Sequence, residues 1–191
     1  MKKKIMTAIA TAVLITGVSV WGPTVAQATD DSRAQAVSAL KSPSREKPLE
    51  LHGVAAAGSK KVYKCTVTPH KPHLSVAELK KKRNSVVAKA TVTCPNADKS
   101  LKVNVYGVLA KSTSKKISTL RIIDSVSTVV TVKKGGKQTV MVPAAKSKTH
   151  HAPGKKGMWF RAAFSAKISG EGTATTNSGA SDHVWLKNKK F

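Results

Sequence analysis

Acidic residues are scarce in this chain. Only nine of its 191 residues are Asp or Glu, against 34 Lys and Arg, which leaves a formal net charge of +25. Beyond residue 59 the carboxylates are Glu78, Asp98, Asp124, Glu171 and Asp182, none adjacent to another. Acid–base catalysis by paired carboxylates, which needs two such groups held together with separated pKa values, has no basis in that spacing. Asp182 and His183 are neighbours, but successive side chains of a strand point to opposite faces and form no relay. There is no G-x-S-x-G elbow, and Ser178 in Thr175-Thr176-Asn177-Ser178-Gly179 reads as loop. Cysteine is limited to Cys65 and Cys94, and a bridge between them removes any thiolate nucleophile. The chain is therefore read as a non-enzyme without a cofactor. Aromatic side chains make up 4% of it, too few for a row of base-stacking platforms. Only one long apolar run is present, and it lies at the N-terminus.

That run belongs to a three-part export signal. Lys2, Lys3 and Lys4 precede an uncharged apolar stretch from Ile5 to Val20, followed by Gly22-Pro23 and the small-x-small site Ala26-Gln27-Ala28. The stretch is shorter than the ~20 residues a membrane-spanning helix needs, so residues 1–28 read as a cleaved signal peptide. Cleavage after Ala28 would release a secreted, extracellular chain. Residues 29–59 show no sustained apolar period, balanced charge, and Ser42-Pro43-Ser44, Pro48 and Ala55-Ala56-Ala57-Gly58-Ser59, which predict a flexible leader. A short helix over Asp31–Leu40 would be marginal by itself.

Residues 60–191 then form one basic domain, with 24 Lys and 3 Arg against five carboxylates. Period-two alternation dominates it. Tyr63, Cys65 and Val67 share one phase, as do Val86 through Cys94, Leu101 through Val105, and Phe160 through Ile168 at every second residue. Ile117–Asp124, Val126–Val132, Val140–Val142 and Val184–Leu186 supply further strands, and Lys134-Gly135-Gly136-Lys137 reads as a hairpin turn. The pattern predicts a mainly β fold, an antiparallel β-sandwich first and an open barrel second. Ser75-Val76-Ala77-Glu78, with Leu74 and Leu79 at staple positions, predicts one short helix near 76–83.

In an exported chain Cys65 and Cys94 most simply pair with each other, tying the strands on either side of that helix. The separation is short for an antibody-type bridge, and no Trp lies between the two cysteines. Tyr63-Lys64-Cys65-Thr66-Val67-Thr68, Ala88-Lys89-Ala90-Thr91-Val92-Thr93-Cys94 and Gly157-Met158-Trp159-Phe160-Arg161-Ala162 resemble strands of small secreted β-sandwich proteins from Gram-positive, especially actinobacterial, bacteria. The resemblance implies export and fold, and no activity.

Lysine-rich blocks are the strongest functional signal. Lys80-Lys81-Lys82-Arg83, Lys133-Lys134 with Lys137, and Lys155-Lys156 are the candidate anion-binding residues. Lysine in place of arginine disfavours bidentate reading of phosphate or guanine, so no sequence-specific nucleic acid is expected. The partners this implies are teichoic acid, acidic phospholipid, acidic polysaccharide or extracellular DNA. A protein partner, met as an inhibitor or toxin-like effector through loops at Ala145–Lys156 and Glu171–Ser181, is the alternative. His70-Lys71-Pro72-His73 and His150-His151 read as solvated loop residues, and no metal site is expected. Trp159 and Trp185 occupy the outward phase of their strands, either as an exposed pair or as cover for a second core.

Overall fold

The computed structural model describes residues 30–42, 48–54, 61–170 and 174–191. The predicted signal segment 1–28, residues 29, 43–47 and 55–59 of the predicted leader, and residues 60 and 171–173 lie outside the described residues.

Helix α1 (Asp30–Lys41) comes first, then β1 (Leu49–Val54), β2 (Val62–Pro69) and the two-residue β3 (His73–Leu74). A single-turn helix α2 (Val76–Lys80) leads into β4 (Val86–Thr93) and the long β5 (Leu101–Ser112). After a 3-10 turn at Ile117–Thr119 come β6 (Arg121–Val132), β7 (Lys137–Val142), β8 (Met158–Ser169), β9 (Thr176–Ala180) and β10 (Val184–Leu186). Two antiparallel sheets result. One is β1-β2-β4, with both β3 and β7 paired to β4; the other is β10-β8-β5-β6, with β9 also on β8.

The alternating residues meet between these sheets. Tyr63, Cys65, Val67, Ala88, Ala90 and Val92 from one sheet pack on Leu101, Val103, Val105, Phe160, Phe164 and Ile168 from the other. Period two puts every second side chain on the inner face, which is why a sandwich follows from these residues. The Cys65–Cys94 disulfide ties β2 to the end of β4. Gly107 is required where the sheets approach: a Cβ there would come within 2.8 Å of Val142 on the facing sheet.

The leader expectation is corrected at its described residues. Leu49–Val54 is a paired strand, with Leu51 opposite Cys65, and its alternation buries Leu49 and Leu51 in the core. β1 also joins the two sheets at one corner, through a bridge from Gly53 to Ala174 and a bond from the Thr175 N–H to the His52 carbonyl (2.9 Å). Helix α1 is rich in good helix formers, yet its length alone leaves it marginal. Tertiary packing decides it: Ala36, Ala39 and Leu40 cover Val108, Ala110, Ala163 and Ala180 on the outer face of the second sheet.

Other expectations change in detail. Ile117–Asp124 and Val126–Val132 are not two strands; one strand runs from Arg121, kept in register with β5 by an irregularity at Leu109/Ala110. The Lys133–Gly136 turn forms, with Gly135 at φ +63°, but it is no hairpin: β6 pairs with β5 and β7 with β4, so it turns the chain from one sheet into the other. The proposed loop 171–181 contains strand β9, where Ala180 and Thr176 pair with Ala163 and Lys167. Residues 145–156 carry no helix or strand. Helix α2 ends at Lys80, short of residue 83, because Lys82 turns to φ +56°. Among the described residues no helix is long and apolar enough to cross a membrane.

Candidate anion-binding surface

The carboxylates described from residue 61 onward are all occupied. Glu78 accepts from Arg83 Nε at 2.7 Å and Lys81 Nζ at 3.4 Å, and His150 Nδ1 lies 3.6 Å away. The Arg83 bond holds the Glu78 carboxyl below its ordinary range. This use of Glu78 breaks the expected reciprocal capping box: Ser75 Oγ accepts from the Glu78 N–H at 3.4 Å, while the Ser75 N–H goes to the Ser85 carbonyl at 2.7 Å. Asp98 is hydrogen-bonded by Lys61, which lowers its pKa likewise. Asp182 pairs with Lys71 at 3.1 Å, and Asp124 with His151 at 2.8 Å. Among the described residues from 61 onward, every Asp and Glu is therefore already held by a cation or an imidazole of the same chain.

The predicted basic residues are all exposed, and they divide between the two ends of the sandwich. Lys80, Lys81, Lys82 and Arg83 close α2 just before β4 begins. Asn84 clamps the C-terminal tail there, donating to the Lys189 carbonyl at 3.1 Å and accepting from the Lys189 N–H at 2.8 Å. One residue earlier, Asn188 clamps Gly154 by a second reciprocal pair, with both bonds at 3.1 Å. Lys155 and Lys156 follow Gly154, so the α2 block, the tail lysines and this pair are brought to one end. The sequence marked Asn84 only as a stop for the short helix and gave Asn188 no role, because each clamp joins segments distant in the chain.

Lys133, Lys134 and Lys137 lie elsewhere. Lys137 pairs with Thr93 at the far end of β4, about 24 Å from Val86 at ~3.4 Å per residue. The candidate blocks thus form two separated basic clusters. Lys81 and Arg83 are partly spent on Glu78, which leaves Lys80 and Lys82 as the unpaired members of their block.

Beside the first cluster sits an aromatic group. Trp159 and Trp185 pair across β8 and β10 with centroids 5.4 Å apart and planes at 64°, an edge-to-face contact. Trp185 is 44% exposed and Trp159 half-buried, just past the stretch of the outer face that α1 covers. The Lys115 ammonium lies 5.6 Å from the Trp159 ring centroid. His183 stands 6.1 Å from Trp159; burial first, then the charge of Arg161, lowers its pKa. Gly157, at φ +86°, lets Trp185 settle on the backbone, since a Cβ there would lie 2.7 Å from the ring.

The four histidines expected as solvated loop residues are not all so: His73 opens strand β3 and His151 is mostly buried, and each of the four takes a separate partner. His70 meets Thr91 Oγ1 at 2.8 Å, His73 the Lys71 carbonyl at 3.1 Å, and His150 and His151 two different carboxylates. Among the described residues no three His, Cys, Asp or Glu side chains are grouped to hold a metal ion. The His151–Asp124 pair joins residues 27 apart in sequence and had no sequence signal. No hydroxyl or thiol of the described residues is bonded to that imidazole, so the pair buttresses the loop against β6. The chain matches no protein-family model, no curated protein and no solved structure.

Proposed function

We propose that this chain is an exported, non-enzymatic protein that binds an anionic polymer of the cell envelope or its surroundings through its lysine clusters. The observation that carries this reading is the occupation of the described carboxylates from residue 61 onward. With those counter-charges used up internally, the remaining lysines have only an outside anion to neutralise them. Each ammonium near an anionic surface contributes on the order of 1 kcal/mol at low salt, so a handful at one end reach micromolar affinity. Two clusters on opposite ends can hold two strands of polymer, or one strand at two points. The Cys65–Cys94 bridge fits an oxidising compartment, as the N-terminal signal requires.

The test is retention of the secreted protein on isolated cell-wall teichoic acid and on a sulfated polysaccharide resin, at ~50 and ~300 mM salt. Steep loss of binding between these conditions is expected, because displaced counterions make such association strongly salt-dependent. Absence of binding at the lower salt overturns the proposal. Mass analysis of the secreted form should place its first residue near Thr29.

A further inference from the structure

We propose that Trp159 and Trp185 form a sugar-ring platform and that the anionic polymer is an acidic polysaccharide, its acid groups held by Lys115, Lys155, Lys156 and Lys187. This rests on the polyanion reading and narrows it to one ligand chemistry.

Four features of the patch meet there. Trp185 is the largest side chain left open on the outer face of its sheet, and large apolar groups stay exposed at a cost unless something covers them. The ring is not loose: edge-to-face contact with Trp159 and the Cβ-free backbone of Gly157 set its plane in advance. Sugar rings present C–H bonds of partial positive charge, which match the electron-rich face of an indole. The cations follow from the chain path. Lys156 precedes Gly157 beneath Trp185, Lys187 follows the end of β10, and Lys115 sits over Trp159. The nearest carboxylate, Asp182, is engaged by Lys71.

His183 adds a polar requirement. One ring nitrogen bonds the Lys115 backbone, while Nε2 is buried with no partner among the described residues. In the neutral ring that atom is an unbonded acceptor, and a sugar hydroxyl would meet it only if the His183 ring turns outward on binding. Sugars carry hydroxyls beside their acid groups; polyphosphate has neither hydroxyls nor rings. An edge-to-face pair held in plane by Gly157 also suits a ring laid on it better than it suits a wedge into lipid. Single-stranded nucleic acid would need a succession of platforms, and one pair is present.

The exported protein should be titrated with polygalacturonate, long-chain polyphosphate, oligo-thymidylate and phosphatidylglycerol vesicles, following affinity and tryptophan emission. For polygalacturonate, W185A is expected to weaken binding about ten-fold, W185F to recover most of that loss, and emission to change on binding. Polyphosphate affinity should move by less than about two-fold in W185A yet fall in a K155E/K156E variant. Equal effects of W185A on polyphosphate and polygalacturonate, or none on either, overturn the platform and leave the electrostatic reading standing. Tryptophan-dependent binding confined to vesicles or to oligo-thymidylate overturns the sugar assignment. Failure to bind any of the four anions overturns both readings together.

Discussion

Arg161 and Leu40, 121 residues apart, are joined by a bond from Arg161 Nη1 to the Leu40 carbonyl at 2.7 Å. Arg161 is 1% exposed, and its Nε donates to the Ser181 carbonyl at 2.9 Å. It therefore sits at the C-terminal end of α1, where the last carbonyls lack intrahelical donors and the helix dipole favours a cation. A residue of β8 thus anchors a helix from the opposite end of the chain. Ser165 repeats the device further along, donating from Oγ to the Ser32 carbonyl at 2.6 Å.

Arg161→Ala should accordingly cost about 2–4 kcal/mol, from the lost buried bonds and the volume left behind. Denaturant titration would read the loss, and proteolysis should show α1 cut earlier than the sheets. Unchanged stability would mean that α1 docks through its apolar contacts alone.

Removing the disulfide should destabilise the domain by about 3–4 kcal/mol on the chain-entropy model for a loop of 29 residues. A C65S/C94S double variant, or unfolding under strong reductant, measures this. A change below about 1 kcal/mol would show that the reduced chain is already held together in its unfolded state.

His183 predicts an acid-sensitive window. Its folded pKa is lowered from 6.5, so on acidification the unfolded chain takes up this proton before the folded one does. Stability from this group is complete above 6.5 and declines as pH falls below it. Glu78 and Asp98, lowered from 4.5 and 3.8, lose their contributions only in more acid solution, as pH falls through their folded values. Denaturation midpoints between pH 7.5 and 5 should therefore fall in the parent and fall less in H183Q. Parallel curves would remove His183 as the cause.

Gly157→Ala forces a side chain onto a backbone at φ +86° and against the Trp185 ring. A cost of about 1–3 kcal/mol is expected, together with a shift in tryptophan emission as the ring is displaced. Parent-like emission would mean that the backbone moves and the pair does not.

The two basic ends should act independently. K133E/K134E and K155E/K156E, on clusters at opposite ends of β4, should each lower the salt dependence of polymer binding, and their combined effect should add. Strong non-additivity would place both clusters on one strand of ligand.

Some of this was legible beforehand because it depends on local period. Tyr63-Cys65-Val67 and Phe160 through Ile168 alternate, and alternation determines which side chains face the core whatever the partner strand. The same phase placed Cys65 and Cys94 inward. The leader was misjudged because α1 and β1 have weak local signals. The clue lay in β8, whose outward residues Arg161, Ala163 and Ser165 are also buried, as in a strand covered on both faces.

By itself, then, the sequence determined the basic charge, the strand phases, the bridge between two cysteines and the sandwich these imply. All are properties of composition or of neighbours a few residues apart. Only the tertiary structure decided that α1 and β1 join the fold, that the lysines divide between two ends, and that Trp159 and Trp185 meet above Gly157. Each of these depends on pairing between separate segments, from the Leu51–Cys65 and Trp159–Trp185 pairs to Leu40 and Arg161, 121 residues apart, which burial and backbone hydrogen bonding select and no local period records.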